Sequence, residues 1–214
     1  MPDIRQIVLT VLAGSLFLSA GIASAHDASE HKVPATTASL PVALPASAGK
    51  TLPFDNIGGS FTLTDHFGKQ RTDADFHGRF LLIFFGYANC ESICPVGLQR
   101  MTAAFDELDA GSDKVQPVLI TVDPENDTPA ALAAQIPKVH PQLLGLTGTP
   151  EQIQAAMKAY QVESTQVSQS ANGDPVYAHG SFIYLMRPDG TFATLIPPVL
   201  GIDKMAGILR RYVN

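Results

Sequence analysis

Cysteine is scarce in this sequence: Cys90 and Cys94 are the only two in 214 residues. One internal disulfide is the most such a chain can close, which excludes a disulfide-dense scaffold. Charge is sparse as well, with 16% of residues Asp, Glu, Lys or Arg and a formal net charge of −6. Nothing basic clusters, so nucleic acid drops out as a partner. A P-loop, an H-E-x-x-H pair and a Ser-His-Asp order are missing too, and hydrolase and nucleotide chemistry are left without support.

What is present begins with an export signature. Arg5 precedes an apolar stretch from Ile7 to Ile22, and Ala23-Ser24-Ala25 offers the small residues read by signal peptidase. Residues 1–25 are therefore expected to be a signal peptide. The stretch approaches the length of a membrane span, so an uncleaved anchor is the alternative, weakened by Thr10, Gly14, Ser15 and Ser19. Either way the body is expected outside the cytoplasm, in the periplasm, free or tethered to the inner membrane. Residues 26–52 are rich in Ala, Ser, Thr and Pro without apolar periodicity, which predicts a flexible linker. Residues 53–214 then form one domain of about 160 residues, enough for a real core.

The domain is organised around Phe80–Met101, FLLIFFGYANCESICPVGLQRM. The run Phe80–Phe85 is continuous and apolar, as in a strand buried on both faces, and Pro95 suits the start of a helix. Before it, Gly59–Thr64 alternates and Asp65–Lys69 is turn-like, predicting a hairpin. After it, Leu98, Met101, Phe105 and Leu108 recur at helical spacing, and Val115–Val122 is a second apolar strand. Thr128-Pro129 predicts an N-cap for a short helix broken at Pro137. Leu143–Leu146 is a brief strand, and Thr149–Gln152 a capping box for a helix with Ile153, Ala156, Met157 and Tyr160 on one face. Ser181–Met186 and Thr191–Ile196 form a hairpin around Pro188-Asp189-Gly190, and an amphipathic helix carrying Ile202, Met205, Ile208, Leu209 and Tyr212 closes the chain. Strands separated by helices require right-handed crossovers, and the late hairpin adds an antiparallel part. The fold class is α/β: a thioredoxin-like mixed sheet flanked by helices, with an added N-terminal β-hairpin.

The chemistry gathers where the first buried strand meets its helix. At a helix N-terminus the free N–H groups and positive dipole end favour thiolate, the form that binds metal or attacks a disulfide. Cys90 and Cys94 are about one turn apart, close enough to close a disulfide or to hold a soft metal. A permanent staple is the plainer reading, but a loop this short removes little unfolded-state entropy. His66, His77 and His140 fall in loops and are most simply solvated. His179 leads toward a buried strand and has Gly180 beside it, so it is either a structural residue or a third ligand. His26 and His31 would open the mature chain, where an α-amino group beside an imidazole can take copper(II).

In order and spacing, GGSFTLTDHFG, LLIFFGYANCESICP, VDPENDTP and HGSFIYLMRPDG resemble the Sco (SenC) family of exported, thioredoxin-fold proteins. The resemblance covers Gly58 to the C-terminus. It implies copper handling during assembly of the dinuclear copper centre of cytochrome c oxidase, and Cys90, Cys94 and His179 match the family's three copper ligands. This chain departs from the pattern in carrying Glu91-Ser92 between the cysteines where Pro-Asp is common. It also has Ala178-His179-Gly180 for Asp-His-Ser, and Asn126 where Arg is common.

The resulting expectation is a periplasmic copper-binding chaperone for Cu(I)/Cu(II), with Cys90, Cys94 and His179 as ligands. Its partner would be a copper-receiving protein such as cytochrome c oxidase subunit II. The alternative is a thiol–disulfide oxidoreductase in which Cys90 and Cys94 form the catalytic redox dithiol, supplied with electrons by a periplasmic thiol reductant. A third reading is a disulfide-stapled interaction module.

Overall fold

The computed structural model describes residues 56–88 and 93–213, with the backbone alone at 93–95, all within the unit 49–214. The expected signal peptide, the linker with His26 and His31, and Cys90 lie outside the described residues.

Alternation in the first segment gives β1 (Thr62–Asp65) and β2 (Gln70–Thr72), paired antiparallel. The turn between them is closed by Asp65, whose Oδ1 accepts from Phe67 N and Lys69 N and whose Oδ2 accepts from Arg71 Nε. The apolar run forms β3 (Phe80–Gly86), followed by α1 (Ile93–Asp106) and β4 (Val115–Thr121). Then come α2 (Pro129–Val139), β5 (Leu144–Thr147) and α3 (Pro150–Ala159). The last third contains β6 (Ser164–Gln169), β7 (Pro175–His179), β8 (Ile183–Met186), β9 (Phe192–Ile196) and α4 (Ile202–Val213).

Among the described residues seven strands form one sheet in the order β2-β1-β5-β4-β3-β8-β9. β3, β4 and β5 run parallel, as their helical crossovers require, whereas β1 joins β5 and β8 joins β3 antiparallel. The result is a thioredoxin-like mixed sheet. β3 sits between β4 and β8, so both its edges are paired, and beyond the half-buried Phe80 both its faces are buried. Leu82, Ile83, Phe84 and Phe85 are fully buried, each contributing on the order of 2–3 kcal/mol. The pleat sends alternate side chains to opposite faces. Phe85 meets Tyr160 and Tyr184, while the ring of Phe84 lies against Gly97 of α1, where an added Cβ would come within 3.2 Å of its Cζ.

Several expectations need correction. α2 is not broken at Pro137 but runs to Val139; a proline this close to the end removes one hydrogen bond without interrupting many turns. α1 begins at Ile93, so Pro95 is third in the helix, still among the first four residues whose N–H groups lack helical partners. The strand expected from Ser181 starts at Ile183, and His179 instead ends β7, in a separate β6–β7 hairpin that the sequence reading did not contain. His66 is buried, not solvated: the chain turns it onto β5, where its Nδ1 accepts from Gly145 N at 3.1 Å.

Candidate metal centre

The site is reached from two directions. β3 delivers the chain at Gly86 to Tyr87 and Ala88, two residues before Cys90, and Cys94 lies in the first turn of α1. From the other side, the β6–β7 hairpin delivers His179 to Phe84 and Tyr87. The His179 ring stands edge-on to Phe84 at 6.3 Å between centroids and to Tyr87 at 6.1 Å. Phe84 thus supports both α1 and His179. The imidazole stands against the root of the cysteine loop, although the two are far apart in sequence.

His179 is oriented by a backbone carbonyl. Its Nδ1 lies 3.0 Å from Gly180 O, and since a carbonyl can only accept, the ring proton is on Nδ1 and the lone pair of the neutral ring is on Nε2. The hairpin itself is fastened through Tyr177, whose N–H donates to Tyr87 Oη at 3.3 Å and whose Oη makes a longer bond of 3.4 Å to Asp123 Oδ1. Burial, then the charge and hydrogen bond of Asp123, raise the Tyr177 phenol above its ordinary range and keep it protonated.

The cysteine loop has its own anchor in the loop between β4 and α2. Asp127 Oδ2 accepts from Ala88 N at 2.9 Å and from Thr121 Oγ1 at 2.7 Å. Burial pushes this carboxyl up, against the opposing pull of Thr121 and Ala88, and the nearby Asp123 adds to the rise. In sequence, VDPENDTP shows both carboxylates but not their targets, because nothing local connects Asp127 to Ala88.

The other histidines are placed elsewhere. His140 is nearly buried, donates from Nε2 to Asp106 at 2.9 Å and accepts at Nδ1 from Gln142 N; His77 is exposed beside Gly190. Among the described residues no three His, Cys, Asp or Glu side chains converge as a metal cluster. The described residues thus place Cys94 in the first turn of α1 and one imidazole at the root of the loop that precedes it. Thiolate sulfur and imidazole nitrogen are donor types that fit copper in either common oxidation state.

The SCO1/SenC family model matches residues 49–214. The chain belongs to the SCO1/SenC family. It is 38% identical over 157 residues to the mitochondrial SCO2 homolog of Bos taurus, covering 72% of this chain and 59% of that protein. The SCO1/SenC match thus spans about three-fifths of the length of that curated relative. Among solved structures, copper-bound ScoI of Bradyrhizobium japonicum superposes with a TM-score of 0.67 at 37% identity, over 73% of this chain and 99% of that one. BsSco superposes with a TM-score of 0.59 at 27% identity, over 74% and 95%; it is described as having a disulfide switch and as a member of the Sco family of cytochrome c oxidase assembly proteins.

Proposed function

We propose that this protein is an exported copper-binding chaperone of the SCO1/SenC family, holding copper between the thiolates of Cys90 and Cys94 and Nε2 of His179. The observation that carries this reading is the imidazole at the root of the cysteine loop, with Phe84 beneath both His179 and α1. The copper-bound Bradyrhizobium japonicum relative supports copper as the metal. Two thiolates suffice for copper(I), and the nitrogen ligand adds the harder donor that copper(II) requires. The recipient would be a respiratory oxidase, such as subunit II of cytochrome c oxidase with its dinuclear copper centre. Export follows from residues 1–25, and intact-mass analysis checks it: a mass starting at His26 is expected, whereas one retaining Met1–Ala25 means a membrane tether.

The disulfide switch of BsSco favours a second role for the same pair. As a reductase, Cys90 and Cys94 would give two electrons and two protons to a partner disulfide and become a disulfide themselves. Copper titration into the reduced and oxidised protein tests the leading reading. The reduced form is expected to bind copper and the oxidised form to remain nearly free of it, because disulfide sulfur has lost the thiolate charge. Equal uptake by both would point to His26 and His31 or to adventitious sites and overturn the assignment.

A further inference from the structure

We propose that Asp127 is a positioning residue for Cys90, fixing where the cysteine loop leaves the sheet. The parallel ladder between β3 and β4 pairs Gly86 with Thr121, and its last bond runs from Val122 N to Gly86 O at 2.8 Å. The next donor on that side is Ala88 N–H. β4 turns away at Asp123-Pro124, and Ala88 donates instead to Asp127 Oδ2 at 2.9 Å. The carboxylate extends the ladder by one rung, across 39 positions of sequence, to a residue two short of Cys90.

The anchor is itself held. Asp127 is 2% exposed, its Oδ2 also accepts from Thr121 Oγ1, and its N–H donates to Asp123 O at 2.9 Å. Thr121 Oγ1 in turn accepts from Asp123 N at 2.9 Å. The same short loop therefore fixes both arms of the site: Asp127 holds the cysteine arm, and Asp123, through Tyr177, touches the histidine arm. One loop therefore bears on both arms without itself needing to touch the metal.

This inference rests on Cys90, Cys94 and His179 forming the site, and the test separates the two. In the full chain, Asp127→Ala is expected to weaken copper(II) binding by about tenfold to a hundredfold, the usual effect of losing an outer-shell support. It is also expected to lower the equilibrium constant for closing the Cys90–Cys94 disulfide against glutathione, because a released loop holds Cys90 less well against Cys94. Asp127→Asn, whose amide oxygen can accept both hydrogen bonds, is expected to recover most of both losses. Asp65→Asn serves as the comparison: it disrupts an equally buried carboxylate three strands from β3 and should lower the melting temperature without moving either equilibrium. If Asp127→Ala lowers the melting temperature but leaves both equilibria at wild-type values, Asp127 is only structural and the proposal falls. Should Asp127→Ala not fold, Thr121→Val removes the second hold on the carboxylate; an intermediate loss supports the proposal and unchanged equilibria overturn it. Wild-type protein that binds copper equally when reduced and oxidised defeats the copper reading, while the glutathione equilibrium still decides the role of Asp127.

Discussion

At His179 the Nδ1 proton is committed to Gly180 O, so the ring presents a defined tautomer, and the preceding residue in the sequence is Ala178. His179→Ala is expected to lose copper(II) far more severely than copper(I), while the rate of dithiol–disulfide exchange with a small reductant stays near wild type. Parallel titrations with the two copper states and a stopped-flow exchange assay measure this. Comparable retention of both copper states would make His179 structural and favour the reductase. Two other residues respond to pH with opposite signs. Burial alone would raise Asp65, but the Arg71 guanidinium and the N–H groups of Lys69 and Phe67 together hold it below its ordinary value of 3.8. Its stabilising contribution is therefore present above that value and lost as pH falls through the depressed folded value. Asp127 is raised instead, so ionising it costs stability as pH climbs past its ordinary value. Urea midpoints from pH 7 down to pH 3 should show Asp65→Asn losing part of the acid-side fall and Asp127→Asn losing an opposing slope.

Among the elements, α1 depends on close approach to the sheet. An added methyl at Gly97 would meet Phe84 and Pro198 at 3.2 Å, tighter than ordinary packing allows. Gly97→Ala should cost about 1–3 kcal/mol and displace the helix that carries Cys94, lowering the chemical-denaturation midpoint and weakening copper binding together. The β6–β7 hairpin is the opposite case. Most of its residues are exposed or half-buried, and among the described residues it pairs with no strand of the main sheet. Its amides should exchange with deuterium well before those of β3 and β4, as hydrogen-exchange mass spectrometry can show. That exposure also explains why this hairpin was not legible in the sequence. Ser164–Gln169, STQVSQ, has a single apolar residue and no buried face to impose alternation. Phe80–Phe85, Val115–Thr121 and the caps at Thr128 and Thr149 were legible because strong burial or a local hydrogen bond dictated each of them. The site followed the same division. The cysteine pair at a strand-to-helix junction could be read locally, whereas Asp127 and Tyr177 act through partners fixed only by tertiary packing.

For the whole molecule, a ligand that binds only the folded state stabilises it by mass action. Copper at about a hundred times its dissociation constant should add about 2.7 kcal/mol to the reduced protein and little to the oxidised one. Paired calorimetric scans check this, and equal shifts would place the metal away from the cysteines. The mixed sheet has a further consequence, concerning synthesis. β3 precedes β8 by the length of most of the domain, and the antiparallel partner beside it, Leu82 opposite Leu185, cannot form until the last third has been made. A chain emerging N-terminus first has both cysteines long before it has β8. Until β8 closes beside β3, one edge of the most buried strand stays open. An unpaired apolar edge is the kind of surface that recruits a strand from another chain, so the sheet order makes the unfinished domain most prone to aggregate just where the cysteine loop begins.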